Sequence, residues 1–502
     1  LPGSVLTVGG NLSLTGAEND LLNLSATGSW TLNVTGTATA DYVQARYGDA
    51  SGGNMVTATH STDKGHNKHW NFNLGDWNYN KRITVPHTYV DEDLHDFPIL
   101  VRLAADASVG ANAQSSGADI RFATATGMNL AYEREDFRVR VGSGSGNFWV
   151  RVPTVYGAQN TEIFLYYGNS QAGDGQWAEE VWDDNFKGVW HLPNGTVLNA
   201  TDATVNQYNG SITGATAAGG MVDGAGSFGG SSFTSHGNTT SLSVSNLTVS
   251  AWVKRNSETL NLETLVGKST GGGADGFYLA VYQNRIRMQT NSTAVGTSTR
   301  NGTSTLNQNT WYHLTGVYNA AGSILTYVNG TAENGSDVGP QVGWQDPQLY
   351  TLNLGARTNG TNDFLNGYLD EVRISSAARS AAWVKFEYWN MLGGETNIGN
   401  PSNQTITGKF SGDEGVTGLS GKMVTVSLNG GATVWSDATD AGGQFAVTNL
   451  PSMTGGTVVT VYADGNTEKA VTVTLGDGGS MTGIHLYQDR LVVKSDSGSS
   501  AV

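Results

Sequence analysis

His60, His66 and His69 share one short segment with Asp63, and these are residue types that a zinc ion takes as ligands. Such a site needs three or four converging ligands, and this segment is polar and turn-like, so it reads as a solvated linker. Acidic runs at Asp91-Glu92-Asp93 with Asp96, and at Glu179-Glu180 with Asp183-Asp184, invite a cation. Neither has the alternating spacing of a calcium loop, and both read as solvated loop faces. Glycan hydrolysis needs two carboxyl groups held across the scissile bond. Glu179 and Glu180 are adjacent, so in a strand they point to opposite faces. The chain contains no E-x-D-x-x-E run, no G-x-S-x-G elbow and no H-E-x-x-H pair. It also has no cysteine, which excludes thiolate nucleophiles, thiolate metal sites and disulfides. A non-catalytic protein is expected.

Composition restricts the partners. The formal net charge of −16 repels phosphate backbones, so nucleic acid is excluded as a partner. No run of about 18 apolar residues occurs, so no membrane span is expected. The chain has 68 glycines against 9 prolines and few charged residues, which suits short strands joined by tight turns. A start at Leu1-Pro2-Gly3, without methionine, fits a processed, secreted chain with extracellular or cell-surface localisation. The sequons at Asn194, Asn238, Asn291, Asn301, Asn329 and Asn359 are candidates for glycosylation.

The expected fold is all-β: tandem β-sandwiches, a jelly roll and an Ig-like one, behind an N-terminal segment that is either β-solenoid-like or a meander. Residues 1–69 alternate in short strands such as Leu12-Ser13-Leu14 and Trp30-Thr31-Leu32-Asn33-Val34, about ten residues apart. A loose L-x-L-x-G repeat favours stacked coils; an antiparallel meander is the alternative. Residues 70–185 carry Trp77-Asn78-Tyr79-Asn80-Lys81-Arg82-Ile83, Asp96-Phe97-Pro98-Ile99-Leu100-Val101, Asp119-Ile120-Arg121-Phe122 and Ile163-Phe164-Leu165-Tyr166-Tyr167-Gly168-Asn169. This order resembles a domain of unknown function found in large bacterial and archaeal surface proteins. In residues 186–395, Leu247-Thr248-Val249-Ser250-Ala251-Trp252-Val253, Trp311-Tyr312-His313 and Gly367-Tyr368-Leu369-Asp370-Glu371-Val372-Arg373-Ile374 occur in the order of laminin-G/pentraxin-like jelly rolls of the concanavalin A type, which they resemble. A helix is expected after them, capped by Ser380 and stopped by Gly393-Gly394. Residues 402–502, with Thr439-Asp440-Ala441-Gly442-Gly443-Gln444-Phe445, resemble the carboxypeptidase-regulatory-like Ig-type domain.

The jelly-roll resemblance implies a binding or structural sandwich, with calcium as the one cofactor to consider. It places metal ligands at Asp202, Asn206, Asp370 and Glu371, although Ala203 and Val205 depart from the family loop. The other reading has Asp370 and Glu371 binding turn amides and pairing with Arg373. Sugars stack on exposed aromatics, which makes Trp344 and Tyr350 candidates for ligand binding. The expected function is an extracellular structural or adhesive surface protein, a filament or surface-layer subunit contacting other copies of itself head to tail. The alternatives are a carbohydrate-binding array on surface glycans, or an accessory region of a secreted glycan-degrading enzyme. The head-to-tail route would use the terminal strand Leu486–Lys494, unless that strand completes its own sandwich.

Overall fold

A computed structural model describes the chain from Pro2 to Val493. It leaves out residues 18–19, 239–241, 243–244, 258–260, 270–275, 321–322, 340–349, 358–362, 394–396, 399–403, 414–415, 429–433, 451–457, 464–466 and 476–480, and the single residues 65, 73, 141, 194, 293 and 295. Strands dominate, and the chain parts into two compact units. The first comprises Leu1–Leu74, Val85–Thr161 and Asn169–Thr396; the second comprises Gly75–Thr84, Glu162–Gly168 and Asn397–Val502.

The first unit opens with a parallel solenoid. β1 (Val5–Val8), β2 (Leu12–Thr15), β3 (Leu22–Val34), β4 (Ala38–Asp41), β5 (Val43–Asp49), β6 (Val56–Thr59), β7 (Thr62–Asp63) and β8 (Trp70–Phe72) stack as two sheets, β1-β3-β5-β7 and β2-β4-β6-β8. Pairing is parallel throughout, with Leu12, Ala38, Val56 and Trp70 in one register column. Alternation therefore reflects coils and not a meander: inward residues such as Leu32, Val43, Val56 and Phe72 bury a continuous core between the sheets. The stretch expected to be a solvated linker is the last coil, β7 and β8.

A sandwich follows. Its Leu94–Asp106 strand pairs antiparallel with Ser143–Val155, which pairs with Tyr132–Arg140. Among the described residues the jelly roll has two eight-stranded sheets around a core that includes Trp190, Phe228, Leu279 and Leu369. In one sheet the Leu247–Arg255 strand lies between Trp311–Asn319 and Asn366–Ser375. The Asn366–Ser375 strand is bulged: Trp252 faces Asp370 and Ser250 faces Arg373, so Glu371 and Val372 together oppose Ala251. Glu371 takes a φ of +49° there, and the bulge breaks simple alternation.

The helix Ala381–Leu392 forms as the sequence predicts. Ser380 accepts the Trp383 amide at 3.1 Å, and Gly393 ends the helix at φ +90°. It is wedged between modules. Trp383 and Phe386 pack on Phe97 of the sandwich, Asn390 accepts the Leu100 amide at 2.8 Å, and Val384 meets Val317 and Tyr327 of the jelly roll.

In the second unit, Asn397–Ile398 pairs with the Tyr79–Val85 strand. Two further sheets enclose a core of Ile406, Phe410, Val426, Phe445, Val461 and Leu486. Asp440 builds the predicted turn by accepting the Gly442 and Gln444 amides at 2.8 Å each. Gly443, at φ +77°, lies so close to Gly418 that a Cβ would meet its Cα at 2.6 Å. The terminal stretch is not a free donor strand. It forms Met481–Tyr487, parallel to Gln404–Ser411, and Arg490–Val493, parallel to Ala470–Leu475, completing its own sandwich; Lys494 lies outside the described residues.

Candidate functional site

The calcium ligands implied by the jelly-roll resemblance do not converge. Asp202 is 3% exposed, and its carboxylate accepts the Val189, Thr204 and Tyr208 amides and the Thr204 hydroxyl at 2.9–3.0 Å. Those bonds pin a tight turn. Asn206 donates from its amide nitrogen to the Lys187 carbonyl at 3.3 Å. Asp370 accepts the Met221 and Val222 amides at 2.6 and 3.0 Å. Glu371 accepts Arg373 Nη2 at 2.7 Å. The turn-amide and ion-pair reading of Asp370 and Glu371 therefore describes the geometry. Among the described residues the set of acidic and imidazole ligand atoms that converges is Glu135, His191 and Glu371, which includes neither Asp202 nor Asp370.

Of the aromatic candidates, Tyr350 is half-buried and Trp344 lies outside the described residues, as do the sequons Asn194 and Asn359. Asn238 is exposed. Asn291 is fully buried and donates to Ser269 at 3.3 Å, so a glycan cannot be attached without unfolding its strand. Asn301 accepts Arg287 Nε at 2.7 Å, and Asn329 accepts the His313 amide at 2.9 Å, so both side chains have structural bonds.

The concave site is elsewhere, between the last solenoid coil and the sandwich. A cleft of about 410 Å³ is lined by Asp63, His66, Trp70, Arg121, Trp177 and Glu180 among others, a volume within the range of small-molecule sites. The chain between β7 and β8 supplies one wall. His66 stacks on Tyr47 at 4.5 Å and meets Trp177 edge-on at 5.2 Å. Lys68 reaches across to pair with Glu180 and lies 5.2 Å from the Trp177 ring centre. Asn67 donates to Asp63 at 2.7 Å and to the Ala45 carbonyl at 2.9 Å, which fixes the loop on the coil beneath. On the other wall Arg121 is anchored by the Ala118, Ile120 and Gly173 carbonyls at 2.7–2.9 Å, and Arg151 by Asp96 at 3.0 Å.

Backbone strain gathers here as well. Tyr47, His66 and His69 have φ of about +60°, a region non-glycine residues seldom occupy and one that clusters at functional sites. Burial is the main cause of the lowered His66 pKa, so its ring stays neutral. His66 and Glu180 are half-buried in the cleft wall, whereas His60 and His69 are exposed, as expected of a solvated segment. His60 pairs with Asp41, His69 lies 3.1 Å from the Ala50 carbonyl, and Asp183 pairs with Arg379 at 3.1 Å. The signal for this wall is the alternation Trp70-Asn71-Phe72, which continues the coil repeat through the polar stretch.

These features define a multi-module β protein with a concanavalin A-like jelly roll and an aromatic, polar cleft. Residues 228–385 match the concanavalin A-like lectin/glucanases superfamily, and residues 116–192 match the domain of unknown function DUF2341. No curated protein matches the chain significantly. Among solved structures it is similar to domain 4 of an extracellular arabinanase from Geobacillus stearothermophilus, in complex with arabinotriose. That likeness is 18% identity at TM-score 0.32, covering 40% of this chain and 97% of that one. It is also similar to the binding domain of Paraclostridial Mosquitocidal Protein 1, at 13% identity and TM-score 0.35, covering 58% and 75%. Likenesses this distant carry no functional inference. No helix among the described residues is long and apolar enough to cross a membrane.

Proposed function

We propose that this chain is a non-catalytic, extracellular adhesive protein that holds a carbohydrate in the cleft between its last solenoid coil and its sandwich. One observation carries the reading: half-buried Trp177 and the neutral His66 ring stand beside Asp63, Asn67, Lys68 and Glu180 around one concave volume. A sugar presents apolar C–H faces, which pack on flat rings, and hydroxyls, which need fixed donors and acceptors; this cleft has both. Glu180 is tied to Lys68 and Asp63 to Asn67, so the carboxylates serve as fixed acceptors for hydroxyls. Ligand binding without turnover is expected. Screening the whole chain on a glycan array tests it: selective binding, with bound oligosaccharides recovered intact, is the expected result. Absence of binding to any glycan, or steady cleavage of one, contradicts the reading.

Self-association is a second reading, favoured by one specific observation. The edge strand Arg490–Val493 exposes Leu491 and Val493, at 65% and 54%, beside half-exposed Val471 and Val473 in register. Sedimentation at rising concentration should show oligomers that Leu491→Glu removes. A chain that stays monomeric throughout excludes this reading.

A further inference from the structure

Glu135, His191 and Glu371 come from distant parts of the sequence: the Tyr132–Arg140 strand of the sandwich, the end of the Phe186–Trp190 strand, and the bulge of the Asn366–Ser375 strand. One ligand atom from each lies within 4.8 Å of the other two. His191 and Glu371 are 5% and 0% exposed, and Glu135 is half-buried. His191 Nδ1 is 2.7 Å from Glu371 Oε1.

Each of the three is oriented from behind. Glu135 accepts Trp149 Nε1 at 3.0 Å through Oε2, His191 Nε2 lies 3.2 Å from Glu133 Oε2, and Glu371 accepts Arg373 through Oε2. That leaves Glu135 Oε1 unpartnered near the bonded pair of His191 Nδ1 and Glu371 Oε1. Glu135 Oε1 is buried without a hydrogen-bond partner, and so is Oδ1 of the adjoining Asp370, a residue with no exposure. Orphaned buried carboxylate oxygens are costly unless a proton or a cation completes them.

We infer that Glu135, His191 and Glu371 form a divalent transition-metal site of the zinc class, clasping the sandwich to the jelly roll. An imidazole and two carboxylates suit zinc or manganese, whereas calcium takes six to eight oxygens. Glu135 and Glu371 supply two negative charges to the ion, with Glu371 shared between it and Arg373. A histidine fixed by a carboxylate on its far nitrogen is the recurrent outer arrangement of metal sites, and Glu133 plays that part. Zinc binds nitrogen and oxygen at about 2.0–2.1 Å, so tetrahedral ligands lie a little over 3 Å apart. The 2.7 Å contact between His191 and Glu371 must therefore open by roughly half an ångström, and the His191 ring loses a proton on binding. This inference is independent of the cleft and its ligand.

The test uses the full chain, stripped with chelator and then dialysed against Zn²⁺, Mn²⁺ or Ca²⁺. Elemental analysis should find one Zn²⁺ or Mn²⁺ per chain and no retained Ca²⁺, and the thermal midpoint should rise with metal concentration. Glu135→Gln, which keeps the shape and the Trp149 bond, should weaken binding at least tenfold. If that variant does not fold, anomalous scattering from zinc-soaked wild-type crystals must place the ion between these three residues. Failure of the wild type to retain metal, equal retention by a folded Glu135→Gln variant, or an ion found elsewhere overturns the assignment.

Discussion

Arg373→Met is expected to destabilise the first unit by about 3–5 kcal/mol, the usual cost of removing one partner from a buried charge network. Arg373 is 2% exposed and donates to Glu371 at 2.7 Å and Glu387 at 2.9 Å, so its loss strips the guanidinium from two interior carboxylates and leaves Glu371 to His191. Its guanidinium also lies 4.4 Å and 5.0 Å from the ring centres of Trp149 and Trp182, so one side chain joins the sandwich, the jelly roll and the helix that bears Glu387. Methionine fills similar volume and isolates the charge effect from a cavity. Denaturant unfolding followed by tryptophan fluorescence measures the change. A loss below about 1 kcal/mol, the worth of an exposed pair, would show that water reaches these carboxylates.

The second large effect is on acid stability. His236 is 4% exposed, and burial lowers its pKa from the ordinary 6.5 to about 4. Neutral, it bridges two partners, with Nδ1 2.7 Å from the Tyr208 carbonyl and Nε2 2.8 Å from the Thr234 hydroxyl, under the Trp190 ring. Below pH 6.5 the unfolded chain takes up a proton that the folded one refuses. The stabilisation is thus full above 6.5 and is lost as pH falls towards about 4. Between pH 7 and pH 5 this one residue should account for about 2 kcal/mol of lost stability. His313, also lowered to about 4 by burial, adds a like slope. His236→Gln should flatten the pH dependence of unfolding by its share; an unchanged slope would show that the ring is protonated in the fold.

What the sequence made legible was local. Alternation with a ten-residue spacing was enough for short strands with inward and outward faces, but it fits a meander as well as a solenoid, and only the parallel pairing decides between them. Ser380 and Gly393 bounded the helix, because capping involves neighbouring residues. The jelly roll could be read from ordered motifs. Convergence was hidden. Asp202 resembled a calcium ligand until its turn closed and four donors occupied its oxygens. The cleft joins a segment near residue 66 to one near residue 177, and no spacing rule links them. Glu135, His191 and Glu371 meet only once the sandwich packs on the jelly roll, and Glu371 reaches its place through a bulge that alternation cannot anticipate.

The carbohydrate is expected in the cleft and not on the jelly roll. Calorimetric titration of an array-positive oligosaccharide into wild type, Trp177→Ala and Tyr350→Ala tests it most directly. Wild-type binding at one site per chain, affinity lost at least tenfold in Trp177→Ala and unchanged in Tyr350→Ala is the predicted result. Binding intact in a folded Trp177→Ala variant and lost in Tyr350→Ala would contradict it.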